Sequence, residues 1–149
     1  MKNLFVPEIA SEVIARIESL QADKKALWGK MNSAQMVAHC QVPMEVALGD
    51  KKIKRSLVGY LFGRIAKKSM YSDKPMPRNL PTDKTFVVPD ERNLEVEKSR
   101  LIQLVKRFAE AGPTGLTPET HPFFGKLTME EWGVLSYQHL DHHLRQFGV

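Results

Sequence analysis

The sequence predicts an all-α fold, a bundle of four long helices with one shorter helical or irregular element. Apolar residues recur at helical spacing in several segments, those segments end at residues that commonly cap or stop helices, and no segment reads convincingly as a sheet. With 149 residues, 42% of them hydrophobic and 26% charged, the chain fits one globular domain, predicted to cover residues 1–149.

The composition also predicts where the protein is found. Cys40 is the only cysteine, so an intrachain disulfide is excluded, and a reducing, cytoplasmic location is the simplest interpretation. The first eight residues contain no apolar run that could serve as a signal peptide. No uninterrupted apolar stretch approaches the length of a membrane span, so no membrane partner is expected.

The net charge of +5 and the pI of about 9.4 permit contact with nucleic acid or anionic lipid without requiring it. The densest basic run, residues 51–55, is followed by three further cations, Arg64, Lys67 and Lys68. We interpret this run as a solvated helix end, with an anion- or nucleic-acid-binding patch as the alternative. Tyr60 and Phe62, which lie nearby, are interpreted as the apolar side of a helix rather than as base-reading residues.

The first helix is predicted from Pro7 to about Leu20, because proline suits the first helical position. Its apolar stripe consists of Ile9, Val13, Ile17 and Leu20. A loop over residues 21–32 follows, in which Leu27, Trp28 and Met31 are expected to anchor the chain onto the core.

The second helix is predicted from Ser33 toward Leu48, with Asn32 or Ser33 as the N-cap and Gly49 marking the end. Pro43 lies inside this helix and has no N–H to donate to the carbonyl of His39, so we expect a kink there.

A third helix is predicted over roughly residues 56–70, followed by a long connection over residues 71–89. Four prolines make the connection unsuitable for a helix, although residues 85–88 could form a short extended piece. We interpret the connection as a surface crossover, with a segment that covers a site as the alternative.

The fourth helix is predicted from near Asp90 to near Ala111, where Gly112 and Pro113 stop it. Its apolar face consists of Leu94, Leu101, Leu104, Val105 and Phe108. The last helix is predicted from Thr128 to about Phe147, and its opening residues 128–131 have the form of a capping box.

Two histidines of the last helix carry the strongest chemical signal. His139 and His143 are four residues apart, so both imidazoles lie on one face of the helix and can bind a single ion. Trp132, Leu135 and Ser136 lie on or beside that face, which indicates that it points into the bundle. A buried pair of histidines needs a partner.

His39 is the predicted third ligand, because it lies on an apolar stretch of the second helix. Three histidines leave positions open for water or substrate, as in catalytic rather than structural zinc sites. The alternatives are a surface pair without function and histidines that are only hydrogen-bonded. His142 competes with His143, since a spacing of three also brings two rings together.

His121 and Gln35 are the candidate catalytic residues. His121 could be a further ligand or an acid–base group, or it could cap a helix or contact backbone. Gln35 could orient His39 or bind substrate, or it could be a polar residue at a helix start. Asp141 and Glu45 are interpreted as surface carboxylates rather than partners of the histidines. Cys40 is interpreted as a small buried apolar residue.

Several motifs resemble the DinB/YfiT-like family. Residues 32–39, Asn-Ser-Ala-Gln-Met-Val-Ala-His, resemble its second-helix motif, and His139-x-x-x-His143 resembles its last-helix motif. Residues 75–81, 121–127 and 140–148 are similar to one branch of that group, which is catalogued only as a domain of unknown function. The resemblance covers nearly the whole chain from the second helix to the end.

The resemblance implies a four-helix bundle with a crossover between its middle helices, and often a homodimer. It also implies a divalent metal ion, with zinc or nickel as the usual candidates, bound by His39, His139 and His143. Characterised relatives include isomerases and transferases that use low-molecular-weight thiols such as mycothiol or bacillithiol. The branch itself has no settled activity, and nothing in the sequence indicates a role in DNA repair.

The sequence therefore predicts a metal-dependent transferase or hydrolase that acts on a small molecule, with a low-molecular-weight thiol as a candidate partner. A non-catalytic binding module with a structural or absent metal is the second hypothesis. A basic nucleic-acid-binding protein that uses Lys51, Lys52, Lys54 and Arg55 is the third, and nucleic acid is not the expected partner.

Overall fold

A computed structural model describes residues 1–78, 86–116 and 120–149. Within these ranges the chain forms five helices and no β-strand, which confirms the predicted all-α fold. The helices are α1 (Pro7–Glu18), α2 (Ser33–Ala47), α3 (Leu57–Met70), α4 (Leu94–Ala111) and α5 (Met129–Gln146). Of the helices in these ranges, none combines the length and the apolar character needed to cross a membrane.

Four of the helices form the bundle. Helices α1 and α2 each pack on both α4 and α5, and the most extensive packing is that of α2 on α4. The connection between these two middle helices of the bundle spans residues 48–93 and includes α3. The helix that carries His39 therefore packs on the helix that carries His139 and His143, although about a hundred residues separate them.

The core lies between the four bundle helices. Phe108 of α4, Leu140 of α5 and Phe147 just after α5 are among its largest fully buried side chains. The predicted apolar face of α4 is confirmed, since all five of its residues are buried. Phe5, which precedes α1, stacks on Phe108 with 4.8 Å between the ring centroids, so the N-terminal segment also packs on the core.

Side-chain caps fix the starts of the two histidine-bearing helices. Asn32 and Gln35 form a capping box at the start of α2, and Thr128 and Glu131 form the predicted capping box at the start of α5. Helix α2 continues through Pro43 to Ala47, so the proline interrupts its hydrogen bonds without ending it.

The predicted start of α4 was wrong by four residues. The Asn93 side chain accepts from the backbone N–H of Val96 and caps the helix there. The first helix ends at Glu18, within two residues of its predicted end at about Leu20.

Two loop expectations also need correction. Leu27 does not anchor its loop through its side chain, which is 67% exposed; its backbone N–H instead donates to the carbonyl of Gln146. Met31 does pack against the core. The expected extended piece at residues 85–88 is not a strand over Phe86–Val88, and Thr85 lies outside the described residues.

The apolar side of α3 does not face the core. Tyr60 and Phe62 are 63% and 55% exposed, although the helix itself forms close to its predicted bounds. The buried residues of α3 are two glycines, Gly59 and Gly63, so the helix is attached through its small residues.

Candidate metal centre

Three histidines converge between α2 and α5. His139 and His143 lie one turn apart on α5, with 4.7 Å between their ring centroids. His39 faces them from α2, and its ring centroid lies 5.0 Å from that of His139 and 4.7 Å from that of His143. His39 and His143 are buried, and His139 is half-buried.

The ring nitrogens of this histidine triad are close enough to share one ion. Nε2 of His39 lies 3.1 Å from Nε2 of His139, and one ligand atom from each of the three rings lies within 4.8 Å of the other two. Two nitrogens that each bind an ion at about 2.0–2.1 Å are separated by about 3 Å when they subtend roughly a right angle at it. The spacing therefore suits a shared divalent ion.

Hydrogen bonds fix two of the rings in the orientation that a metal ligand needs. Nδ1–H of His39 donates to the carbonyl of Phe86 at 2.8 Å, because a carbonyl can only accept. Nδ1–H of His143 donates to Oε1 of Gln146 at 2.9 Å. In both rings the proton is thus on Nδ1, and the Nε2 lone pair is available to an ion.

Gln146 itself is held in place. Its Nε2 donates to the carbonyl of Trp28 at 2.6 Å, which fixes the orientation of the amide and points Oε1 at His143. The backbone carbonyl of Gln146 also accepts from Leu27, so the loop before α2 is joined to the end of α5 beside the triad.

The surroundings favour neutral imidazoles, the form that binds a metal. Burial lowers the pKa of His143 to about 3, and it also lowers the pKa of His39. The pKa of His139 lies well below its usual value, first because of burial and then because of the neighbouring His143 and His39. Three imidazoles this close together cannot all accept protons without repulsion, so the cluster presents lone pairs at neutral pH.

His121 is held by backbone groups through one ring nitrogen and is not part of the triad. Its Nδ1 accepts from the backbone N–H groups of Phe123 and Phe124, each at 3.1 Å. The proton of the neutral ring is therefore on Nε2, which can donate but has no lone pair for a metal. Burial lowers the pKa of His121 to about 3, so the ring stays neutral.

Gln35 lies at the start of α2, one turn from His39. Its Oε1 accepts from the backbone N–H of Asn32, and its Nε2 donates to the carbonyl of Asp90 at 3.3 Å. Both ends of the amide are thus hydrogen-bonded to backbone groups. This agrees with the interpretation of Gln35 as a polar residue at a helix start.

Asp141, Glu45 and Cys40 do not join the triad. Asp141 pairs with Arg16 at 2.8 Å, and Glu45 lies 4.0 Å from Lys51, so each carboxylate has a cationic partner away from the histidines. Cys40 is fully buried, and burial raises the pKa of its thiol, which leaves it unreactive.

His142 lies on the outer side of the triad, where the long connection and the 21–32 loop meet. Its ring contacts Trp28 edge-on at 5.6 Å between centroids, and a hydrogen bond to the backbone of Met76 raises its pKa against the lowering effect of burial. The guanidinium of Arg78 lies over the Trp28 ring at 4.3 Å. Both described parts of the 71–89 connection thus contact the site. Met76 contacts it at His142, and Phe86 contacts it at His39.

Two groups at the site were not found from the sequence. Gln146 follows His143 at a spacing of three, the helical signal that could have identified it. The carbonyl of Phe86 is a backbone group from a distant part of the chain, and no sequence pattern marks it.

The model of a protein family, described as "Protein of unknown function (DUF1569)", matches residues 4–148. Comparisons with curated proteins and with solved structures give no match.

Proposed function

We propose, on the premise that this chain belongs to the DUF1569 family, that it binds a divalent metal ion through His39, His139 and His143. The observation that carries the proposal is the convergence of three imidazole nitrogens within 4.8 Å of one another. Imidazole donors suit zinc and nickel, the two ions we favour.

The donor set supports a catalytic rather than a closed site. Among the residues that the structure describes, no further Cys, His, Asp or Glu side chain joins the three histidines, so one or more positions are left for water or substrate. A divalent ion supplies Lewis acidity there, which lowers the pKa of a water molecule or a thiol. We propose transfer or hydrolysis on a small molecule, with a low-molecular-weight thiol as a candidate cosubstrate.

The chain's own residues would orient this chemistry. Gln146 and the Phe86 carbonyl hold the ligand rings, and the Trp28–Met76 side of the site would limit the access of water. His121 would act as a hydrogen-bond donor through Nε2–H rather than as a general base, because backbone N–H groups already occupy its Nδ1.

The same ligand set supports the affiliation with DinB/YfiT-like proteins that the sequence motifs suggest. The expected homodimer and the expected cytoplasmic location stay predictions, which sedimentation of the purified protein and fractionation of cells would check.

Metal analysis of protein purified without an affinity tag tests the proposal. We expect a stoichiometric divalent ion in the wild-type protein and its loss from His39→Ala and His143→Ala. His142→Ala is the matched control, because it lies on the same helix beside His143 and is not a proposed ligand. Unchanged metal content in both triad variants contradicts the assignment.

Cobalt substitution tests the open position. Adding a small thiol to the cobalt-loaded protein is expected to produce a sulfur-to-cobalt charge-transfer band, because a thiolate can enter an open position. A closed structural site gives no new band. His121→Asn is expected to keep the band, because His121 is not a proposed ligand.

The non-catalytic alternative has one observation in its favour. The 3.1 Å contact between the Nε2 atoms of His39 and His139 is also a hydrogen-bond distance, so the rings can bind each other without an ion. Thermal unfolding with and without a chelator separates the two cases, because only a metal-binding site loses stability when the ion is removed.

A further inference from the structure

Helix α3 is attached to the rest of the chain through its small residues. Gly59 and Gly63 are its buried residues, and both lie against the backbone of Phe123, so closely that an added Cβ would meet the Phe123 carbonyl. Met70, near the end of the helix, packs against the core, whereas the large apolar side chains from Leu57 to Ile65 are turned outward.

The outward side of α3 is a row of large apolar side chains. Leu57, Leu61 and Ile65 follow each other at helical spacing and are 81%, 73% and 72% exposed. Val58, Tyr60 and Phe62, which flank this row, are each more than half exposed. A contiguous apolar surface of this kind commonly marks an interaction site.

The same part of the chain is strongly basic. Residues 51–72 contain seven Lys and Arg and no Asp or Glu. Within the described ranges, Lys54, Arg64 and Lys68 have no ion-pair partner, and a shallow groove is lined by Arg64, Ile65, Lys68 and Ser69. Exposed apolar residues and the cations Arg64 and Lys68 thus share one surface of α3.

We propose that α3 binds the surface of an anionic lipid bilayer, with Leu57, Leu61 and Ile65 inserted between headgroups and with Arg64 and Lys68, on the same side of the helix, at the phosphates. An amphipathic helix that combines large apolar residues with Lys and Arg lies in the plane of a membrane interface. Each cation near an anionic leaflet adds to the attraction. Long Lys and Arg side chains also keep their charges at the headgroups while their stems stay apolar.

Charge argues against a second copy of the chain as the occupant. A symmetric contact between two α3 helices would bring two surfaces of the same sign together, and residues 51–72 offer no carboxylate for a complementary pair. Nucleic acid would use the cations but would leave the apolar row in water.

The proposal departs from the expectation of no membrane partner, because that expectation concerned spanning segments and not the membrane surface. It is independent of the metal centre, which lies between α2 and α5.

Vesicle sedimentation with the full chain tests the proposal. We expect binding to phosphatidylglycerol-containing vesicles, little binding to pure phosphatidylcholine vesicles, and release as the salt concentration rises. Leu61→Ser combined with Ile65→Ser is expected to abolish binding. Arg64→Gln combined with Lys68→Gln is expected to weaken it roughly tenfold or more.

The matched control is Val96→Ser combined with Lys106→Gln. It removes one exposed apolar residue and one cation from α4 and is expected to bind as the wild type does. All four substituted α3 positions are exposed, so the variants are expected to fold, and circular dichroism with thermal unfolding checks that they do.

Equal binding to both kinds of vesicle, or unchanged binding by the Leu61/Ile65 variant, overturns the proposal. The proposal is also overturned if the wild type does not bind anionic vesicles but forms a dimer in solution that the Leu61/Ile65 variant does not form. That result would assign the surface to a second copy of the chain. Retention on DNA without vesicle binding also overturns it, in favour of nucleic acid.

Discussion

At the scale of single residues, Gln146 joins a proposed metal ligand to a loop. Its Oε1 accepts from Nδ1–H of His143, and its Nε2 donates to the carbonyl of Trp28. Gln146→Met keeps the length of the side chain and removes both hydrogen bonds, so we expect the affinity for zinc to fall by about 10- to 100-fold. Competition with a chromogenic chelator measures this affinity.

Two controls separate orientation of His143 from general damage. Gln146→Glu keeps an acceptor for His143 and is expected to keep most of the affinity, whereas Gln103→Met, on the exposed side of α4, is expected to change nothing. If Gln146→Met binds zinc as tightly as the wild type, Gln146 does not orient the ligand.

The low pKa of His121 predicts that the folded protein loses stability as the pH falls. Its pKa is about 3 in the folded chain and about 6.5 when exposed, so below 6.5 the unfolded chain takes up a proton that the folded chain does not. The contribution of His121 to stability is thus complete above pH 6.5 and is lost at about 1.4 kcal/mol per pH unit as the pH falls toward 3.

His121→Asn isolates this contribution, because an amide oxygen can accept from the same backbone N–H groups but does not titrate. We expect urea unfolding of the variant to depend less steeply on pH between 6 and 4.5 than that of the wild type. Parallel pH profiles for the two proteins would show that His121 is not held neutral by burial.

At the scale of elements, the start of α2 tests the role of Gln35. Its amide forms half of the capping box with Asn32, so Gln35→Ala is expected to lower the free energy of unfolding by about 1 kcal/mol and to leave metal content unchanged. Chemical denaturation and metal analysis on the same preparation check both parts. A large loss of metal with unchanged stability would instead support the orienting role that the sequence allowed.

For the buried glycines of α3, we expect a substitution by alanine to destabilise the protein, although alanine favours helix formation. Alanine usually stabilises a helix relative to glycine by up to about 1 kcal/mol. A Cβ at Gly63 would meet the carbonyl of Phe123, which is backbone and cannot move freely, so Gly63→Ala is expected to lower the melting temperature. Ser69→Ala, at an exposed position of the same helix, is the control and is expected to be neutral or stabilising.

The way in which α3 is attached to the rest of the chain could not be predicted from the sequence. The pattern of apolar residues predicts that a helix forms, but it does not reveal whether another element covers the apolar side. The signal for the actual attachment was the pair Gly59 and Gly63, four residues apart, which allows backbone to approach that side. The predicted start of α4 near Asp90 was also wrong, because Asn93 caps the helix, which begins at Leu94.

At the scale of the whole molecule, most of the fold and the convergence of three histidines could be predicted, whereas their role as ligands stays a prediction. His139 and His143 follow from helical periodicity, and His39 follows from its place on an apolar helix. The Phe86 carbonyl could not be predicted, because it reaches His39 from 47 residues away through a connection that has no periodic pattern. Tertiary packing alone brings these groups together.

The central claim is that the three histidines hold one divalent ion in common, and anomalous diffraction at the zinc edge tests it most directly. Crystals of tag-free protein loaded with zinc are predicted to show one strong peak bonded to Nε2 of His39, His139 and His143, with a non-protein ligand completing the site. A peak elsewhere, or none between these three rings, would contradict the account.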